Sequence, residues 1–81
     1  MPEDSWYYYR RPHVDEPSKT TTGFFRSFDK AFEAMAADVG MFFGCVNFEE
    51  ASGCDGVVVE SGEDSAVVSY GNIVWATGQV V

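Results

Sequence analysis

Three side chains in this sequence could supply nucleophilic or basic chemistry: the thiols of Cys45 and Cys54 and the imidazole of His13. A cysteine nucleophile needs its base within hydrogen-bond reach. His13 follows Pro12 in a segment predicted to be a loop, and neither cysteine lies in a local motif of a thiol enzyme. We therefore expect no catalytic residue and no enzyme activity, with His13 solvated and both cysteines serving in packing.

The oxidation state of the two cysteines follows from their number. Small secreted domains held by disulfides usually carry four or more cysteines, and this chain has two. The count favours two free, partly buried thiols. A disulfide between Cys45 and Cys54 is the alternative, because Cys54 lies in a glycine-rich segment that can bend.

Motifs for metals and cofactors are absent from the sequence. There is no CxxC, HxxxH or EF-hand spacing, and Gly53, Gly56 and Gly62 do not fit a dinucleotide-binding fingerprint. The acidic turn at residues 60–64 has the charge to attract calcium weakly, but a solvated turn is the simpler interpretation. A glycosidase would need two carboxylates on opposite sides of a cleft, and a small meander has little room for a cleft. The sequence predicts no metal and no cofactor.

The acidic residues are unevenly distributed along the chain. Residues 1–30 contain five acids and five bases, whereas residues 31–81 contain eight acids and no Lys or Arg, so 0 − 8 gives the net charge of −8. Phosphate contacts need a basic surface. We therefore expect no direct binding to nucleic acid or to an anionic membrane. An aromatic strand ending in Arg10 and Arg11 could stack bases, but the negative field of the remaining chain argues against it.

Eight acids are the candidate contacts to a partner protein. Asp29 and Glu33 stand four residues apart on a predicted helix, where they share a flank and repel each other. Acids at alternate strand positions would lie ~6.8 Å apart, and DNA carries phosphates every ~3.4 Å along each strand. An acidic sheet and helix flank could therefore imitate a phosphate track coarsely; a solvated acidic face is the alternative. The candidates are Asp29, Glu33, Glu49, Glu50, Asp55, Glu60, Glu63 and Asp64.

The first half of the chain predicts one strand and one helix. Aromatic residues at 5–11 are typical of a strand, which Pro12 should end, and residues 12–23 predict a loop. Apolar residues recur at helical spacing over residues 28–39. Ser27 is suited to cap the start of this helix, and Gly40 to close it.

The second half predicts an antiparallel meander. Residues 41–48 alternate with a period of two and predict a strand that is buried on both faces. Gly71-Asn72 is a two-residue hairpin signal, and Gly78 predicts a bend or bulge in the last strand. The other segments are a loop at 49–56, strands at 57–60, 65–70 and 73–77, a turn at 61–64, and an extension at Val80-Val81.

Together these elements predict one α+β domain spanning residues 1–81. Its sheet has about four to five antiparallel strands packed against a single α-helix, in β-α-β-β-β order. A hydrophobic content of 46% argues against disorder. No apolar run reaches the roughly 18–20 residues of a membrane span, and the N-terminus lacks the pattern of a secretion signal. We expect a cytoplasmic protein.

This combination resembles the small inhibitors encoded by phages and mobile elements, and anti-CRISPR proteins in particular. The likeness lies in the 81-residue length, the N-terminal strand, the one helix and the base-free acidic meander. Anti-CRISPR proteins share no diagnostic motif, so the resemblance assigns no residue a role. It implies stoichiometric, non-catalytic binding to a CRISPR effector subunit in a bacterial host cell. The usual target is a basic DNA-binding groove; other members block nuclease recruitment or a conformational step.

A second hypothesis is a generic interaction module or small homodimeric subunit that binds through aromatic residues. Tyr7, Tyr9 and Trp75 would then be exposed anchors, because interface hot spots favour Tyr, Trp and Arg. A free sheet edge could also pair with a second copy. Both a monomer and a homodimer are compatible with the sequence.

Overall fold

A computed structural model of the chain describes residues 6–13 and 15–80, with the side chain of Pro17 left out. Within these ranges the chain forms five strands and two helices. In chain order they are β1 (Trp6–His13), β2 (Glu16–Phe25), α1 (Phe28–Phe43), α2 (Phe48–Ser52), β3 (Val57–Ser61), β4 (Ala66–Tyr70) and β5 (Ile73–Val80).

The five strands form one antiparallel sheet in the order β2-β1-β5-β4-β3. The predicted α+β class, with an antiparallel sheet packed against one main helix, is confirmed. The predicted element order was wrong, because the chain runs β-β-α-α-β-β-β. The central pairing joins β1 to β5, the first strand to the last, and so closes the N-terminal hairpin onto the C-terminal meander.

The predicted loop at residues 12–23 is instead part of a β-hairpin. Thr20, Thr21 and Thr22 continue β2 opposite β1, as expected for β-branched residues on a pleated surface. Pro12 is tolerated within β1 because pairing with β5 extends only to Arg10. The missing N–H of Pro12 therefore removes no bond from that side of the sheet.

Helix α1 begins where the sequence predicts and ends later. Ser27 caps its start, with the Ser27 hydroxyl oxygen accepting from the Lys30 backbone N–H at 3.2 Å. Gly40 lies inside the helix, and Gly44, at φ 68°, takes the left-handed position that ends it. The predicted strand at residues 41–48 was therefore wrong: its first residues complete α1, and the rest leads into α2.

The hydrophobic core lies between α1 and one face of the sheet. Helix α1 contributes Ala31, Met35 and Val39, all fully buried, and β4 and β5 contribute Val68 and Trp75. The aromatic pair at the end of α1, Phe42 and Phe43, also packs against Trp75. This contact explains the helical ending: a helix lets both rings reach the core, which alternating strand positions would not.

The C-terminal meander follows the predicted turns. Gly71 has φ 63° and Asn72 has a negative φ, a pattern typical of a type II′ hairpin turn between β4 and β5. The predicted bulge at Gly78 was wrong, because β5 pairs with β1 in continuous register through Tyr8 and Gly78. An added Cβ at Gly78 would lie 3.0 Å from the Tyr8 hydroxyl oxygen, so a larger residue there would require the Tyr8 ring to shift. Val81 lies outside the described residues.

Within the described part of the chain, neither helix combines the length and the apolar character needed to cross a membrane.

Candidate protein-binding surface

Five of the eight candidate acids lie on the helical side of the sheet; we call them the helix-layer acids. Asp29 and Glu33 are exposed one turn apart on α1. The other three are exposed on α2 and in the turn after it. The set is Asp29, Glu33, Glu49, Glu50 and Asp55.

Contact between aromatic rings joins α1 to α2. The rings of Phe32 and Phe48 meet edge to face, with centroids 5.3 Å apart. Glu33 and Glu49 are the next residues on the two helices, and both are exposed. The helix-layer acids therefore belong to one layer of packed helices, although residues 29–33 and 49–55 are distant in sequence.

Glu50 has a structural role as well as a charge. Asn47 caps α2, its Oδ1 accepting from the Glu50 backbone N–H at 2.9 Å. The Glu50 carboxylate in turn accepts from the Val46 backbone N–H at 3.3 Å. This reciprocal arrangement resembles a capping box. Substitution at Glu50 would therefore disturb α2 as well as remove a charge.

The other three candidates, Glu60, Glu63 and Asp64, lie apart from the helix layer; we call them the sheet-edge acids. Glu60 pairs with Val67 on β4, one residue beyond the Val59–Val68 pair that faces the core. Its side chain therefore lies on the sheet face opposite the helices. Glu63 and Asp64 are exposed in the turn between β3 and β4. Of the eight candidates only Glu60 lies in a strand, so these acids do not form the regular strand track considered from the sequence.

Four of the five basic residues lie on or next to β1 and β2, and the fifth, Lys30, lies on α1 beside Asp29. Arg10 and Arg11 are in β1, Lys19 is in β2, and Arg26 follows β2. Because β2 and β3 are opposite edges of the sheet, the molecule has a basic half at β1 and β2 and an acidic half at α2, β3 and the β3–β4 turn. The charge imbalance along the sequence thus becomes a separation in space.

Asp38 is held by the core rather than offered to solvent. The Tyr9 hydroxyl donates to Asp38 Oδ2 at 2.7 Å, and Arg11 Nη1 lies 3.8 Å from the same oxygen. Burial, followed by the hydrogen bond to the Asp38 carboxylate, raises the pKa of Tyr9 well above its ordinary range. This interaction fixes α1 to β1.

His13 and the cysteines occupy different environments. His13 Nε2 lies 2.8 Å from Thr21 Oγ1 across the β1–β2 hairpin, beside a depression that also contains Arg11 and Asp38. Cys45 and Cys54 are free, half-buried thiols; Cys45 Sγ lies 3.8 Å from the Phe43 carbonyl oxygen and Cys54 Sγ 3.7 Å from the Glu50 carbonyl oxygen. Among the described residues, no group of three or more His, Cys, Asp or Glu side chains could hold a metal ion.

The environment of Cys45 predicts slow alkylation. Burial, the neighbouring Cys54 thiol and the Glu50 carboxylate each raise the pKa of the Cys45 thiol. Because the thiolate is the reactive form, we expect Cys45 to react with iodoacetamide at higher pH than free cysteine does. Mass spectrometry of the modified peptides measures the rate at each thiol. In Cys54→Ala the Cys45 profile should move to lower pH, and an unchanged profile would contradict the contact between the two thiols.

The aromatic residues expected to be anchors are not the exposed ones. Tyr9 and Trp75 are buried, at 5% and 2% exposure, and Tyr7 is half-buried with its ring 6.1 Å from that of Phe28. The exposed aromatics among the described residues are Trp6, Phe24 and Tyr70; Trp6 and Phe24 line an apolar depression with Val80 on the sheet face opposite the helices. The sequence showed that alternate residues of β1 point to opposite faces of the sheet, but it did not show which set would face α1.

Comparisons with known proteins assign no role to these surfaces. The chain has no significant match among protein-family models, curated proteins or solved structures. A functional proposal therefore rests on the charges, exposure and packing of the chain itself.

Proposed function

We propose that this chain is a non-catalytic inhibitor that binds the basic, nucleic-acid-binding groove of a partner protein and competes with the nucleic acid. The observation that carries the proposal is the surface made by the helix-layer acids. All five are exposed, and no Lys or Arg follows Lys30 in the chain to neutralise them. A CRISPR effector complex is the first partner to test, given the resemblance to anti-CRISPR proteins.

The placement of the bases supports the same proposal. A uniform mixture of both signs would weaken the field of the acidic surface. Here only Lys30 lies on the helices beside the acids; the other four bases lie at or next to β1 and β2, and two of them form ion pairs there, Arg11 with Asp38 and Lys19 with Glu16 at 3.4 Å. The field of the acidic half is therefore left largely intact, which favours rapid, steered association with a basic partner.

The first test is a DNA-binding competition. A purified CRISPR effector complex is mixed with labelled target DNA, with and without this protein, at low and high salt. We expect stoichiometric loss of the DNA complex at low salt and weaker inhibition at high salt, because salt screens the charges. Binding to the effector without loss of DNA would contradict competition for the groove. No binding to the effector would remove it as the partner.

Charge reversal of the helix-layer acids should weaken inhibition. In the double variant Glu33→Lys, Glu49→Lys the net charge changes from −8 to −4, and we expect the inhibitory concentration to rise at least about tenfold, or ~1.4 kcal/mol. Among the described residues, neither side chain takes part in a hydrogen bond or ion pair, so the free energy of unfolding should shift by less than ~0.5 kcal/mol. Competition assays and thermal melts measure the two effects separately.

The matched control for this variant lies in the basic half. Asp15→Lys, Glu16→Lys makes the same change in net charge at the β1–β2 turn, where both residues are exposed. It should inhibit almost as well as the parent. Equal losses in both double variants would mean that only total charge matters, and the helix-layer surface would no longer be supported.

A second candidate function is binding through exposed aromatics. Trp6 and Phe24 favour it, since they are 39% and 58% exposed beside Val80. Binding of this kind would depend little on salt and would be lost in Trp6→Ala or Phe24→Ala. The residues concerned differ from Tyr7, Tyr9 and Trp75, which the sequence suggested.

A further inference from the structure

The sheet face opposite α1 and α2, which we call the open face, carries much of the apolar surface that the fold leaves exposed. Its strongly exposed apolar residues come from four of the five strands. They are Trp6, Phe24, Val58, Val74 and Val80, each between 38% and 58% exposed. No described element covers them. Trp6, Phe24 and Val80 lie at one end of the face and Val58 and Val74 at the other, and exposed apolar patches of this kind can mark interaction sites.

One row across the open face carries a positive charge on β1 and a negative charge on β3, and continues from β1 to Thr22 on β2. Cα pairing places Arg10 opposite Ala76, Ala76 opposite Val67, and Val67 opposite Glu60. Three strand spacings separate Arg10 from Glu60, about 14 Å, which is too far for a salt bridge within the chain. The middle of the row is aliphatic and half-buried at Ala76 and Val67.

We propose that the open face binds a second copy of this chain, face to face, about a two-fold axis parallel to the strands between β5 and β4. That axis places β1 of each copy over β3 of the other. Arg10 then faces Glu60 of the second copy, and Ala76 packs on Val67 of the second copy. Two reciprocal Arg–Glu pairs flank an apolar centre, as an isologous interface requires.

A second set of charges fits the same axis. Arg26 lies over the Trp6 ring, its Cζ 4.6 Å from the ring centroid, at the end of the basic half. The axis brings this corner over the β3–β4 turn of the second copy, which carries Glu63 and Asp64. A two-fold axis across the strands would instead place Arg10 over Arg10, and like charges would oppose it. Charge complementarity therefore selects the parallel axis.

The overlapping part of the open face has the size of a weak dimer interface. About this axis β1, β5, β4 and β3 overlap and β2 lies outside, and four strands at ~4.8 Å spacing with a mean length near ~21 Å give a footprint of about 400 Å² on each copy. Both copies together bury about 800 Å², in the range of weak, transient interfaces. Paired sheets pack ~10 Å apart with strands nearly aligned, a gap that Arg10 and Glu60 side chains can bridge. The helix-layer acids stay on the outside, so the dimer does not depend on the proposed inhibition.

Analytical ultracentrifugation with charge-swap variants tests the dimer. The parent should dimerise, and the single variants Arg10→Glu and Glu60→Arg should each raise the dimer dissociation constant at least about tenfold. The double variant Arg10→Glu, Glu60→Arg rebuilds both pairs with reversed sign and should return to within about threefold of the parent. Glu33→Arg, the same change on the helix side, should dimerise like the parent.

Several outcomes would overturn the inference. If the parent stays monomeric up to about 1 mM, where an association free energy of ~4 kcal/mol would be detected, the open face does not bind a second copy of this chain. A dimer that both single variants retain would be formed elsewhere, for example by edge pairing of β2 or β3. Failure of the double variant to recover, with its melting temperature unchanged, would contradict the Arg10–Glu60 pairing.

Discussion

Replacing Trp75 with alanine is expected to destabilise the fold by about 3–5 kcal/mol, the usual cost of truncating a buried tryptophan. Trp75 is 2% exposed, and its ring lies 5.4 Å from Phe42 and 6.3 Å from Phe43 between centroids. The substitution thus leaves a cavity at the junction of α1 and β5. A domain of this length is stable by only about 4–12 kcal/mol. Thermal unfolding followed by circular dichroism should show a midpoint lower by roughly 20 °C.

The matched variant is Trp6→Ala, which removes the same side chain from the open face. Trp6 is 39% exposed, so less surface returns to water and no enclosed cavity forms. We expect less than half of the destabilisation seen for Trp75→Ala. Equal effects in the two variants would contradict the assignment of Trp75 to the core. If a Trp75 variant loses binding to a partner, the cause would therefore be unfolding, whereas loss of binding in a Trp6 variant would indicate that Trp6 contacts the partner.

Replacing Tyr9 with phenylalanine is expected to cost about 1.5–3 kcal/mol near neutral pH, the range for a hydrogen bond to a charged group. The bond lost runs from the Tyr9 hydroxyl to Asp38, at 2.7 Å. Urea unfolding of parent and variant measures the difference. Asp38 keeps Arg11 within 3.8 Å in the variant, which limits the loss to one buried interaction.

The same pair predicts how stability depends on alkaline pH. Burial and Asp38 raise the pKa of Tyr9 in the folded state, whereas in the unfolded chain Tyr9 keeps its ordinary pKa of about 10. Between these two pKa values Tyr9 is protonated in the folded chain and ionised in the unfolded chain, so the unfolded chain binds fewer protons. Stability is then complete below about pH 10 and falls above it, at ~1.4 kcal/mol per pH unit for this one group. Tyr9→Phe should remove this contribution to the slope.

Asp38→Asn is the second variant for the pH experiment. It keeps an oxygen that can accept from the Tyr9 hydroxyl and removes the charge. Burial is the largest cause of the raised pKa of Tyr9, so part of the alkaline slope should persist. An alkaline slope that is identical in the parent and in Tyr9→Phe would show that Tyr9 ionises alike in both states, contrary to its burial beside Asp38.

Local signals in the sequence predicted the elements that local physics controls. The apolar stripe at residues 28–39 and the Ser27 cap located the start of α1, because helical spacing and a free N–H group need only nearby residues. Gly71-Asn72 located the last hairpin for the same reason. The end of α1 was missed: Gly40 and Gly44 both suit a helix terminus, and packing of Phe42 and Phe43 on Trp75 decides between them.

The candidate site shows a similar division. The sequence identified the eight acids, and all of them are exposed. It did not separate the helix-layer acids from the sheet-edge acids, because that division depends on the contact between Phe32 and Phe48 and on the pairing of β3 with β4. The loop predicted at residues 12–23 became β2 because β1 offers it a partner strand.

By itself the sequence determined the composition of this protein, the stripe that makes α1, the hairpin turn and the confinement of bases to its first 30 residues. The tertiary structure alone decided that β1 pairs with β5, that Trp75 is buried while Trp6 is exposed, and that Arg10, Arg11 and Lys19 on β1 and β2 lie away from the sheet-edge acids at β3. Strand pairing between distant segments is chosen by competition among many partners of similar local propensity. That competition is resolved only when the whole chain buries its apolar surface at once.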